Sequence, residues 1–196
     1  MATRMPEQRR ISGEERRALI VRAAGKVFGR EGYAGARIAD IAAAAHVTKP
    51  IVYRHFDSKQ ALYMALLEAH EADLPSFIQA IDPQGLEADQ LVRAILEHWF
   101  DYVRENQHAW FMLFRDRSGD DEIQALRRRV NLRAREVIAA FITQYADGRI
   151  PAGQVEPTAE ALTNGLAGLA LWWIDNPDVP KEVPVDVGTR LVTSAL

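Results

Sequence analysis

Apolar residues recur every three or four positions along nearly the whole of this chain, and no alternating run bounded by turn residues is long enough for a strand. That period confines the fold to helices packed on helices, so the class expected is all-α. Capping and breaking residues then divide the chain. Ser12 with Glu15 has the spacing of a capping box, which starts a first helix whose stripe is Leu19, Ile20, Ala23, Ala24, Val27 and Phe28 and whose end lies near Gly32. A short helix over 38–45, a break at His46 and Val47, and a second short helix through Phe56 follow. Asp57 with Gln60 repeats the capping spacing and opens a long helix over 58–80, bent at Pro75 because proline removes a ladder hydrogen bond. Beyond a linker of Asp82, Pro83, Gln84 and Gly85, helices are expected over 86–105, 107–117, 121–146 and 157–175, with a last one from Val185.

Bulk properties narrow the chemistry. A chain of 196 residues holds one large or two small domains with a real core. It contains no cysteine, which excludes a thiolate nucleophile, a cysteine-ligated metal and a disulfide framework. The longest apolar stretch, 166–174, is about half the ~18 residues of a membrane span. The first dozen residues are polar and basic and carry no apolar signal segment, so a cytoplasmic protein is expected. The net charge of -3 hides an asymmetry: residues 1–60 hold 12 Lys and Arg against 6 Asp and Glu, the remainder 12 against 21. The first part suits a polyanion, although a solvated helical surface carries such a bias as well.

Within that basic part lies the stretch 37–59, RIADIAAAAHVTKPIVYRHFDSK, two short helices joined by a tight turn. Ile38, Ile41, Ala42 and Ala45 can meet Val47, Val52 and Phe56, and the small alanines let the helices cross closely, as a helix-turn-helix requires. Thr48, Lys49, Pro50, Ile51, Tyr53, Arg54 and His55 are left outside that small core. Lys49 can reach guanine acceptors or phosphate, Pro50 and Ile51 can lie against thymine methyls, and Thr48 can bond a base edge or phosphate. Tyr53, His55 and Lys59 suit phosphate oxygens, and Arg37 can add one more at the start of its helix. Patterning alone leaves a second reading, a helical hairpin without DNA whose Tyr53 and Lys59 are merely solvated.

Residues 38–62, IADIAAAAHVTKPIVYRHFDSKQAL, resemble the pattern TVxDIAxxAGVSKxTLYxHFxSKEAL of TetR-type DNA-binding domains. The preceding AGKVFGREGY, 24–33, is similar to that family's AAxxLFxExGY, so the resemblance covers about residues 12–66. It implies a basic arm over 1–11, a three-helix DNA-binding domain over 12–57, and a larger helical ligand-binding and dimerisation domain over 58–196. The family's DNA contacts fall on Arg37, Thr48, Lys49, Pro50, Tyr53, His55 and Lys59. Three positions depart from the pattern: Ala36 or Arg37 replaces the usual opening hydroxyl, His46 the turn glycine, and Ile51 a threonine. His46 then requires either a tolerated left-handed conformation or a different turn.

Downstream, HAWFMLFRD, 108–116, and GLAGLALWWIDNPDVP, 165–180, also resemble family members. The resemblance implies that the last two long helices form a dimer interface, for which Leu162, Gly165, Leu166, Leu169, Trp172, Trp173 and Leu191 are the candidates; burial inside one subunit is the alternative for each. Candidate lining for an effector pocket is Phe77, Trp99, Tyr102, Phe111, Phe114, Asn131, Phe141 and Asn164, a set that suits a lipophilic or aromatic ligand. The partners expected are double-stranded operator DNA, a small-molecule effector and a second copy, with no membrane, cofactor or metal. The action expected is repression, with activation or a DNA-free interaction module as alternatives. Glu105 with His108 gives one Glu-x-x-His pair, whereas a di-iron bundle needs two such pairs and further inward carboxylates, so no enzyme is expected. In the arm, Arg4, Arg9 and Arg10 either reach a minor groove or belong to a solvated tail.

Overall fold

The computed structural model describes residues 12–196; the arm over 1–11, with Arg4, Arg9 and Arg10, lies outside the described residues. The described chain is helical, with no strand. Helix α1 spans Gly13–Gly35 and opens on the expected capping box: Ser12 Oγ accepts from Glu15 N, and Glu15 Oε2 accepts from Ser12 N. Gly32, at φ 69° and ψ 172°, kinks the helix where a stop was expected, and one further turn follows it. Helix α2 (Ile38–Ala44), α3 (Lys49–His55) and α4 (Lys59–Asp73) complete the N-terminal part.

The long helix expected over 58–80 is interrupted rather than bent. Helix α4 stops at Asp73, and after Leu74 and Pro75 a single turn, α5 (Ser76–Gln79), resumes the path. Helix α6 (Ala88–Glu105) buries Leu91, Val92, Leu96, Phe100 and Val103 along one face. The helix expected over 107–117 is α7 (Gln107–Trp110) continued by a π-helical turn, Phe111–Arg115. Helix α8 (Asp121–Tyr145) is capped by Asp120, whose carboxylate accepts from Ile123 N.

Helix α9 (Ala152–Asp175) begins ahead of Pro157, which therefore lies inside it. Proline there cannot donate to the carbonyl of Gly153, but that carbonyl lies in exposed first turns where water replaces the lost donor. Helix α10 (Glu182–Thr193) likewise begins ahead of Val185, with Pro184 in its first turn, where no N–H is needed.

Two cores result. The first gathers Ile20, Val27 and Phe28 of α1, Ile41 of α2, Val52 of α3 and Leu62, Tyr63, Leu66 and Leu67 of α4, together with Met112, Ile123 and Leu126 from further along the chain. The division at 57/58 thus follows helix order but not packing, because α4 and α8 contribute to the N-terminal core. The second core joins α6, α8, α9 and α10 around Leu96, Phe100, Ile142, Leu162, Ala170 and Trp173.

A buried polar knot ties the two regions together. Asp116 Oδ2 accepts from Tyr33 N at 2.8 Å and from Tyr63 Oη at 3.0 Å, and Arg127 stands 3.4 Å from it. Arg127 also donates to the carbonyls of Met112 (2.9 Å) and Ser118 (2.8 Å), so both buried charges are hydrogen-bonded as their burial requires. Burial raises the Asp116 carboxyl, but hydrogen bonds from Ser118, Tyr33 and Tyr63 outweigh it and hold its pKa below the usual value. No helix among the described residues is long and apolar enough to cross a membrane.

Candidate nucleic-acid interface and ligand cavity

The geometry of the hairpin is set by its turn. His46 takes φ 53°, the left-handed conformation, and Val47 N donates to Ala42 O at 2.9 Å to close the turn. Thr48 is extended, α3 starts at Lys49, and Pro50 stands in its first turn, where a missing N–H is harmless. Ile41, Ala42, Ala45, Val52 and Phe56 are all buried, so α3 is clamped by one edge.

Its opposite edge faces out. Thr48, Lys49, Pro50, Tyr53 and Arg54 are exposed, and so is Arg37 at the start of α2. Tyr53 is 51% exposed, an expensive placement for an aromatic ring that serves only the fold. Ile51 is half-buried and packs against the first core, leaving only part of its side chain for a base. His55 is half-buried, and its Nε2 has no hydrogen-bond partner. Burial first, then the charges of Arg54, Arg16 and Arg17, lower its pKa. Those arginines extend the cationic surface from α3 onto α1, where Arg17 also lies over the Phe56 ring at 4.8 Å.

Lys59 stands apart from this edge. Its Nζ donates to Tyr33 O at 2.7 Å and Ala36 O at 3.1 Å and lies 4.6 Å from the Tyr33 ring. Two of its three N–H donors thus pin the end of α1 to the start of α4, and one remains for a phosphate.

In the larger domain a cavity of about 140 Å³ lies between α5, α6, the π turn, α8 and α9. Of the residues expected to line a pocket, Phe77, Trp99, Phe114 and Asn131 do so. Sequence reading missed Trp110, Leu113, Ala134 and Ile138, which face the same space, since apolar residues at helical spacing look like any core position. Four expected residues lie elsewhere. Tyr102 Oη donates to Asp73 Oδ2 at 3.0 Å and is bonded to His70 Nδ1, away from the cavity. Phe111 points to a cleft against α1, because the π turn rotates it away from Phe114. Phe141 borders a smaller adjoining cavity of about 70 Å³ and stacks near Tyr145. Asn164 is exposed and donates back to Glu160 O at 2.8 Å, one helical turn earlier.

Residues 20–66 match the family model of bacterial regulatory proteins, tetR family. That region is a DNA-binding domain of the TetR family. Its members are DNA-binding regulators rather than enzymes. The chain is 34% identical over 105 residues to the HTH-type transcriptional activator FasR of Mycolicibacterium smegmatis, covering 54% of this chain and 48% of that one, so the match spans about half the length of that relative. It is 29% identical over 184 residues to the probable HTH-type transcriptional regulator ArpR of Pseudomonas putida, covering 89% and 87% of the two. A tetR-family transcriptional regulator from Streptomyces coelicolor shares the fold at a TM-score of 0.71 and 25% identity, over 94% of this chain and 80% of that one.

In this TetR-family fold the residues read as interface candidates divide between two faces of α9 and α10. Leu162 and Trp173 are buried within the subunit, and Trp173 Nε1 donates to Val179 O at 2.8 Å. Leu166 borders the cavity, so these three belong to the interior; the whole of α9 is apolar enough that its inward and outward stripes merge in the sequence. Leu169 is half-buried. Gly165 is a point of close approach inside the subunit, since a methyl group there would lie 3.0 Å from Leu191 Cδ2. Trp172 and Leu191, at 45% and 40% exposure, face outward with Val183 and Val187.

Proposed function

We propose that this transcriptional regulator is a repressor that binds a near-palindromic operator as a homodimer in the bacterial cytoplasm and leaves it when a lipophilic or aromatic molecule fills the α5–α9 cavity. The observation that carries the reading is the exposed edge of α3. Lys49, Tyr53 and Arg54 stand out from a helix whose other edge is fixed in the core, with Arg37 nearby. A helix held this way can enter a major groove, with Thr48, Lys49 and Pro50 at its leading end toward base edges and Tyr53, His55 and the remaining Lys59 donor toward phosphates.

The cavity supports the effector class. Aromatic and aliphatic side chains dominate its walls, and Asn131 and Thr163 are the polar groups that can orient a ligand. Repression needs only occupancy of promoter DNA. FasR carries the name of an activator, which keeps activation as the second reading.

Genomic fragments retained by the full chain, followed by electrophoretic shift of the best one, test the reading. The expected result is a complex that weakens steeply with salt and dissociates when an apolar aromatic such as naphthalene is added. A retained fragment that binds equally well with Lys49, Tyr53 and Arg54 all replaced by alanine would overturn it. Transcription from that fragment in vitro separates repression from activation.

A further inference from the structure

A second opening, of about 290 Å³, lies where α1 passes over α7, the π turn and the end of α9. Its chemistry differs from that of the apolar cavity. Lys26, Arg30 and Arg115 stand around it, and Phe111, Leu171 and Ile174 form an apolar floor; no carboxylate lines it. Two of the cations are already matched at the rim. Arg30 pairs with Glu31 at 2.7 Å, and Arg115 holds both oxygens of Asp175. Lys26 makes no ion pair among the described residues, so the cleft keeps about one positive charge in excess, and that charge is felt within it: burial first and then Lys26 lower the pKa of His108.

Beside the cleft α1 meets α7 closely, because α1 has no side chain at Gly25 and Gly29 and His108 of α7 fills that space. A methyl group on either Gly25 or Gly29 would lie 2.6 Å from the His108 side chain, so the imidazole is pressed directly onto α1. Whatever occupies the space beside that contact touches the helix that leads into the DNA-reading part and the helices of the larger domain at once.

We propose that this cleft is a second ligand site, for a small organic monoanion whose apolar body rests on Phe111, Leu171 and Ile174 and whose carboxylate faces Lys26. The floor disfavours a bare inorganic anion, which would lose hydration against hydrocarbon without replacing it. The single excess charge favours a monoanion over a polyanion. Such a ligand bridges α1 and α9 and so favours one angle between the two regions; this consequence for DNA rests on the regulator reading above, whereas the binding itself does not.

The probe is 2-naphthoate, titrated into the full chain by calorimetry while the His108 ring signals are followed by NMR, with 2-naphthalenemethanol and sodium phosphate as comparisons. Naphthoate is expected to bind and to move the His108 signals, the neutral alcohol to move them at least tenfold less effectively, and phosphate not at all. Lys26→Gln with Arg30→Gln, both at exposed positions, is expected to weaken naphthoate at least tenfold. Ala134→Trp, which fills the apolar cavity, is expected to leave it unchanged; should that variant not fold, displacement of naphthoate by excess naphthalene in the unaltered chain asks the same question. Binding that survives the double substitution, binding that naphthalene or Ala134→Trp abolishes, or no His108 response up to millimolar naphthoate would each overturn the proposal. Because the readout is protein alone, its outcome is independent of whether the chain reads DNA.

Discussion

Tyr53 and Lys59 read alike in the sequence, as donors for phosphate, yet the fold uses them differently. Tyr53 touches little of its own protein, so Tyr53→Ala is expected to weaken binding to every DNA sequence while leaving the thermal midpoint within a degree or two. Lys59→Ala removes two charge-assisted hydrogen bonds to Tyr33 O and Ala36 O, with an expected loss of about 1–3 kcal/mol of stability as well as DNA affinity. Thermal melts beside electrophoretic shifts separate the two, and equal melts would refute the division. No spacing rule could have found this, because the carbonyls that hold Lys59 lie more than twenty positions upstream and become its neighbours only through the packing of α1 on α4. The exposed edge of α3, in contrast, was legible: it is the remainder once the apolar positions of a short helix are assigned to the core.

His70 shows the same limit more sharply. It is one of several polar residues in its helix, beside Glu68, Glu71 and Asp73, yet the structure buries it against Tyr102 and His108. Tyr102 gives its only proton to Asp73, so His70 Nδ1 carries the hydrogen that bonds Tyr102 Oη, and Nε2 holds a lone pair with no partner. Burial, followed by the nearby His108, lowers the His70 pKa from 6.5 to about 4. The folded state therefore leaves it neutral where the unfolded chain already binds a proton, so stability falls as pH drops from about 6.5 to about 4 and then levels. The full effect is about 3 kcal/mol, at 1.36 kcal/mol per unit. His70→Phe is expected to flatten that part of a stability-against-pH curve measured by urea denaturation. His108 and His55, whose pKa values burial also lowers, supply the slope that remains, and an unchanged slope would contradict the assignment.

At the scale of elements, breakers were found more reliably than their consequences. Gly32, Pro75 and the stretch around Ser118 each interrupt a helix, as composition suggests. Pro157 does not, because a proline within an exposed early turn costs only a solvated carbonyl, and the helix around it is held by its buried face. The π turn at Phe111–Arg115 has no composition cue; its effect is to send Leu113 and Phe114 into one cavity and Phe111 into another. At the helix-turn-helix, His46 holds a left-handed backbone that costs about 1–2 kcal/mol for a residue with a Cβ. Glycine would remove that strain and give back about 0.5–1 kcal/mol in chain entropy. His46→Gly is thus expected to raise stability by roughly 0.5 kcal/mol by the same balance, read as a small upward shift of the denaturation midpoint with unchanged slope. A lower midpoint would mean that the imidazole has a structural role its open position does not suggest.

For the proposed homodimer the decisive quantity is the distance between two reading helices, since one α3 covers only a few base pairs and useful specificity requires a second about 34 Å away along the duplex. Trp172 and Leu191 are exposed apolar residues available to such a pairing, as are Val183 and Val187, while Leu162 and Trp173 are already committed to the interior. That separation gives a clean experiment. Trp172→Glu with Leu191→Glu changes only exposed positions, so the subunit is expected to stay folded by circular dichroism yet sediment as a monomer. Operator affinity is then expected to fall at least a hundredfold, because the second head no longer binds at the high effective concentration that linkage provides. Nonspecific affinity per subunit, carried by α3 and α1, should change little. A variant that sediments as a dimer would place the interface elsewhere on the surface. A true monomer that kept full operator affinity would mean that one α3 suffices, and the geometry of paired half-sites would no longer be needed to explain recognition.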